Sequence, residues 1–188
     1  QRRLDGARED AGRPVLSGAK IRVEMAGKTR AIGNGGIGLV HQLAQATGLV
    51  AAIDRQVHVL KVHRPYHESD HVLNLAYNAM CDGVRLEDIE LRRNDEVFLD
   101  ALGADRIPDP TTEGDFCRRF SRWDIESMQS AINEARLRVW KQQPREFFDE
   151  AVIEADGTLV PTKGECKEGA DFNYKGEWGY HVLVVSLA

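Results

Sequence analysis

The stretch Ala151-Val152-Ile153-Glu154-Ala155-Asp156-Gly157-Thr158-Leu159-Val160 is β-branched and apolar with acids near its centre, and Pro161 closes it. Such a composition reads as a strand, because branched side chains fit a pleated, half-buried surface. Period-two alternation sends Glu154, Asp156 and Thr158 to one face and Ile153, Ala155 and Gly157 to the other. A carboxylate inside an otherwise buried strand is costly unless it is paired, hydrogen-bonded or bound to a cation. Glu154 and Asp156 therefore either share a cation or leave one carboxylate in solvent. Asp156-Gly157 also has the form of a tight hairpin turn, which leaves a purely structural role open.

Downstream, Lys163 to Lys175 is a polar loop, and Trp178-Gly179-Tyr180-His181-Val182-Leu183-Val184-Val185-Ser186-Leu187 reads as a strand returning beside the first. Upstream the pattern is helical. Helices first and antiparallel strands afterwards define an α+β chain rather than a doubly wound sheet. Leu187-Ala188 ends an apolar run without a closing turn, and residue 1 is Gln, so the chain is expected to be a truncated N-terminal fragment.

Among the helices, Ile125, Met128, Ile132, Ala135 and Val139 recur at spacings of three and four and predict one long amphipathic helix to about Gln143, ended by Pro144. That stripe is core or a partner seam. Before it, Thr112 and Asp115 approximate a capping box for a helix with Phe116, Phe120 and Trp123 on its apolar side and Arg118, Arg119 and Arg122 nearby. Short helices with arginines at the front of the last one fit a helix-turn-helix reader or a small bundle with exposed arginines equally well. Ile107-Pro108-Asp109-Pro110 is a rigid break. Asn94-Asp95 caps a helix ending at Gly103; Leu86, Ile89 and Leu91 mark a short helix; Ser69 is placed as the cap of a helix through Met80, stopped by Gly83.

Residues 55–67 hold three bases and three histidines with no acid, a strip that either touches DNA backbone or is a solvated connection. His58, His63, His67 and His71 match no standard zinc spacing. The turn Gly33-Asn34-Gly35-Gly36-Ile37-Gly38 lacks the Lys-Ser/Thr pair of a phosphate loop and reads as the start of a helix stopped near Gly48. Ile21, Val23 and Met25 alternate as a short strand would, within an irregular lead-in over 1–32.

Composition sets the remaining bounds. Net charge is −5, the wrong sign for a surface that binds nucleic acid all over. The excess is local, however: residues 144–188 carry nine acids and four bases, whereas 1–143 carry 21 of each, so acid is concentrated where a cation could bind. Cys81, Cys117 and Cys166 are far apart and odd in number, as free thiols in a reducing compartment would be. No run approaches the roughly 18 apolar residues of a membrane helix, and no signal-peptide core is present. The expectation is a soluble cytoplasmic protein with no membrane partner.

The string Asp156-Gly157-Thr158-Leu159-Val160-Pro161-Thr162, then Gly164-Glu165, Lys167-Glu168-Gly169-Ala170-Asp171-Phe172, Tyr174-Lys175-Gly176 and Trp178-Gly179-Tyr180-His181, resembles the first catalytic block of the insertion-sequence thirteen-eighty family of DDE group-one transposases. Tyr66 to Asn74, Leu86-Glu87-Asp88, Arg93-Asn94-Asp95 and Pro108 to Phe116 resemble the same family's helical region, in the same order. The resemblance implies a helical DNA-end-binding region over 33–143 and the first strands of a ribonuclease H-like catalytic domain over 144–188. It implies that Asp156 is the first of three metal-binding acids, with the second Asp and the Glu beyond Ala188. It also implies Mg²⁺ or Mn²⁺ in a two-metal site formed only in the complete protein, and DNA ends and target DNA as partners of a homo-oligomer.

The fragment alone is then expected to be inactive, with Arg118, Arg119 and Arg122 as DNA-contact candidates. Two other readings compete. One is a catalytically dead DNA-binding remnant acting as a regulator. The other is an unrelated metal-dependent phosphohydrolase, whose Asp-x-Asp-Gly-Thr pattern is broken here by Glu154.

Overall fold

The computed structural model describes residues 16, 34–63, 65–164 and 167–187. The alternating Ile21, Val23 and Met25 lie outside them. The chain divides into two compact units, Gln1–Lys141 and Gln142–Ala188. Among the described residues these hold seven α-helices and one small antiparallel sheet, so the chain is α+β.

In the first unit, α1 (Ile37–Ala46) and α2 (Leu49–Gln56) are separated by Gly48, whose φ of +73° is a left-handed conformation that turns the chain sharply. The glycine anticipated as a helix stop thus also starts a second helix, which the sequence reading did not assign and whose last two residues, Arg55 and Gln56, open the basic strip. Then follow α3 (Glu68–Met80), α4 (Ile89–Arg93), α5 (Glu96–Leu102), α6 (Pro110–Cys117) and α7 (Arg122–Trp140), with a 3-10 turn over Leu86–Asp88. Asp95 caps α5 as expected, its carboxylate accepting from the backbone N–H groups of Val97 and Phe98.

Three boundaries differ from the sequence reading. Helix α3 starts two residues earlier than Ser69 suggested, with His67 at the cap and the Asp70 carboxylate accepting from the His67 N–H at 2.9 Å. Helix α6 is capped by Asp109 rather than Thr112, since Pro110 takes the first helical position, where its missing N–H is harmless. Helix α7 starts at Arg122 under a Ser121 cap, so Phe120 falls in the turn and Trp123 points away from the core, 74 % exposed.

Two apolar clusters hold the unit. The larger joins Leu16, Ile37, Leu73, Tyr77, Ile89, Phe98, Leu99, Leu102 and Ile107. The smaller joins Ala52, Ile53 and Val57 to Ala131, with Val59, Val72, Phe120 and Met128 packed against it. Small residues on α7 let α2 approach closely, while Ile125, Ile132 and Val139 of the same stripe stay partly exposed.

In the second unit a 3-10 turn (Arg145–Phe148) precedes β1 (Ile153–Pro161), β2 (Ala170–Phe172) and β3 (Trp178–Leu187), in the order β1-β3-β2. The long hairpin is the expected one; β2 lies inside the stretch expected to be loop. Gly179 faces Pro161, and a Cβ there would stand 2.5 Å from the Val160 carbonyl oxygen.

Candidate functional site

Asp156 lies at the middle of β1, directly opposite Val184, and Gly157 opposite Leu183. The ladder runs unbroken from Ile153–Leu187 to Pro161–Gly179, so Asp156-Gly157 is not a hairpin turn. Residues facing each other across an antiparallel pair project to the same side. One face therefore carries Glu154, Asp156, Thr158 and Ser186 together with Val182, Val184 and Tyr180. The other carries Ile153, Ala155, Leu159, Leu183, Val185 and Leu187.

The strand was expected to be otherwise buried, and it is not: Ile153, Leu183 and Val185 are each more than 60 % exposed, and Asp156 is exposed too. The reason is that three strands give a single layer, and within this unit no second layer covers either side among the described residues. Asp156 consequently meets no desolvation penalty of the kind anticipated. An open concavity of about 620 Å³ lies against Gly157, Leu159, His181 and Leu183 and the turn residues Asn173 and Tyr174. Asp171 and Thr158 also line this hollow, whereas Asp156 and Glu154 do not.

A two-metal centre needs several oxygen ligands converging. Among the described residues no group of three or more His, Cys, Asp or Glu side chains gathers in a metal-holding arrangement. Asp156 with Glu154 two positions away does not by itself fit that requirement.

The titratable residues that do converge are in the first unit, on a side of α3 that is polar and buried. Glu68, Ser69, Asp70, His71, Asn74 and Asn78 are all buried; the first five all have polar partners, and the Asn78 amide donates to the Arg85 carbonyl at 3.0 Å while its Oδ1 has no hydrogen-bond partner among the described residues. Glu68 Oε1 accepts from the Leu60 N–H at 3.1 Å, and its Oε2 lies 3.0 Å from His63 Nε2. The Ser69 N–H and hydroxyl both donate to Asp54 at 2.9 Å. Asp70 Oδ1 accepts from the Leu16 N–H at 2.9 Å.

His71 Nδ1 lies 3.2 Å from Glu113 Oε2, and the Asn74 amide donates to Glu113 Oε1 at 2.5 Å and to the Pro108 carbonyl at 3.2 Å. Burial pushes the Glu113 carboxyl up, and the His71 and Asn74 hydrogen bonds pull it back. These groups tie loops and helix ends to α3, as the satisfaction of buried polar atoms demands. The sequence reading missed this hub, although the polar spacing His71, Asn74, Asn78 carries its helical signature.

The arginines read as DNA contacts sit at the α6–α7 turn, all exposed. Arg118 pairs with Asp115 at 2.6 Å and Arg122 with Glu126 at 3.3 Å, so neither offers its full charge; among the described residues Arg119 has no acidic partner. No described helix is long and apolar enough to cross a membrane.

Comparison of the chain with family models, with curated proteins and with solved structures gives no match.

Proposed function

We propose that this chain is part of a DDE-type insertion-sequence transposase of the thirteen-eighty kind, with a helical DNA-end-binding region over 33–143 and the opening strands of a ribonuclease H-like catalytic domain over 144–188. The observation that carries the reading is Asp156. Aspartate is disfavoured in strands, and here it sits mid-ladder with no turn to explain it, on the face that also holds Glu154 and Thr158. A chemical use of the carboxylate accounts for its place, and the ordered strings from Tyr66 to His181 support the same family.

In this reading Asp156 supplies one of three acids, and the second Asp and the Glu come from outside these 188 residues. Asp156 would be one oxygen ligand of a site for Mg²⁺ or Mn²⁺, and the cations would there supply activation of a nucleophilic oxygen and stabilisation of the leaving one. The chain by itself binds DNA without cutting it, and the active form is a homo-oligomer on the element's ends and the target.

The test is strand cleavage by the complete reading frame, with and without Asp156→Asn, on DNA bearing the element's ends and with Mg²⁺ or Mn²⁺. Cleavage that disappears in the Asn variant supports the assignment, and undiminished cleavage overturns it. The 188-residue chain alone should leave linear DNA intact with Mn²⁺. Robust nicking by it that is lost in Asp156→Asn would show that no further acids are needed.

A further inference from the structure

Two segments far apart in sequence emerge from one apolar cluster. Val57 and Val59 of the extended stretch after α2 belong to it, and so do Phe120 of the α6–α7 turn and Met128 of α7. Phe120 is held from its other side by Phe116, at 5.1 Å between ring centroids, and Phe116 stacks on the buried His71 at 4.4 Å. The basic strip and the arginine turn are thereby both anchored on the same apolar cluster.

What they present to solvent is specific. From 57 to 63 the chain has no acid, and His58 and Lys61 are exposed. From 118 to 123 it exposes Arg118, Arg119, Arg122 and the Trp123 indole. Among the described residues neither Lys61 nor Arg119 pairs with an acid, whereas Arg118 and Arg122 do.

We propose that residues 57–63 and 118–123 form one composite surface for single-stranded or unpaired DNA, with Trp123 stacking on a base while Lys61 and Arg119 meet phosphates. The inference rests on the DNA-binding reading of this region. Balance of charge favours a single strand over a duplex. Two uncompensated cations are few for a duplex reader, which neutralises roughly six to ten phosphates. An exposed indole offers instead a platform that any base face satisfies, and bases in a duplex interior hide their faces.

Binding by the full chain is measured by fluorescence anisotropy with a labelled oligo-dT and with a blunt duplex of the same length. The single strand should bind more tightly, with a shallow salt dependence of log K near −1.4 on log[salt], from two phosphates at about −0.7 each. Trp123→Ala should weaken the single strand about tenfold and leave the duplex unchanged, with Trp123→Phe in between. Lys61→Ala with Arg119→Ala should weaken both probes and flatten the slope further. Because all three side chains are exposed, circular dichroism of the variants should match the parent. Equal single-strand affinity for the parent and Trp123→Ala, or a preference for the duplex, overturns the composite surface while leaving DNA binding intact. No binding of either probe overturns both.

Discussion

His71 Nδ1 stands 3.2 Å from Glu113 Oε2 with 3 % and 0 % of the two side chains exposed, and this pair fastens α6 to α3. Removing one member of such a buried pair leaves the other uncompensated, which costs about 3–5 kcal/mol. Glu113→Ala should therefore lower unfolding stability by about that much in urea titration. Glu113→Gln keeps an acceptor for Asn74 and relieves the burial of charge, so its effect should stay within about 1 kcal/mol. Equal losses for both variants would mean that the charge of Glu113, and neither its shape nor its bond to Asn74, carries the whole effect.

Acid should weaken the first unit through His41. Its Nδ1 lies 2.8 Å from the Tyr77 hydroxyl and its Nε2 3.2 Å from the Leu16 carbonyl, and burial lowers its pKa below the ordinary 6.5 despite the opposing pull of the Leu16 carbonyl. The unfolded chain then binds the proton more readily than the folded one. Stability is complete above about pH 6.5 and is lost as pH falls toward the lowered value. Glu113 acts with the opposite sign: its pKa is raised from 4.5 by burial, so its contribution is greatest below 4.5 and declines as pH rises through the raised value. From about pH 7.5 to 5 the thermal midpoint of the parent should fall relative to that of His41→Gln, which retains the Glu113 contribution and lacks that of His41. A slope unchanged by that substitution rules His41 out as the source.

Gly48 holds φ at +73° between α1 and α2, and a Cβ added there meets the Arg138 guanidinium. The side chain of Arg138 is long and can move aside, whereas the backbone angle cannot change without moving α2. Gly48→Ala should cost about 1–2 kcal/mol from the left-handed conformation alone. Combining it with Arg138→Ala should recover little of that loss. Full recovery in the double variant would assign the cost to the clash.

Asp156 faces solvent opposite Val184, in a position where a branched apolar residue would pair better. Asp156→Val should raise the stability of the β1–β3 hairpin by up to about 1 kcal/mol, because cross-strand pairs of this kind contribute 0.2–1 kcal/mol over alanine. On the proposed transposase reading, the same substitution should abolish DNA cleavage by the complete reading frame. A variant that is both less stable and fully active would remove the reason for singling out Asp156.

Local chemistry made much of the architecture legible without coordinates. The period-two run over 153–160 and its return over 178–187 predicted the antiparallel hairpin, and the spacing of Met128, Ala135 and Val139 predicted the long helix. Caps and breakers act through neighbouring backbone, so Asp95, Gly103 and the Pro108–Pro110 break were readable in place. Asp156 was readable as an anomaly, an acid within an apolar strand, although its exposure was not.

Only the tertiary structure decided which polar residues are consumed inside and which remain outside. In sequence Ser69 reads only as a helix cap and His71 only as one of four histidines without zinc spacing, yet these two and Glu68, Asp70 and Asn74 are buried against partners that include positions 16, 54, 60 and 113. Trp123 looks like core and is exposed, because Ser121 starts α7 late enough to turn it outward. The strip at 57–63 and the arginine turn at 118–122 have a common anchor because valines and a phenylalanine about 60 residues apart share one cluster. Sequence fixes interactions a few residues long through caps, turns and periodicity; burial depends on which distant segments pack together, and that is where the surfaces available for function are set.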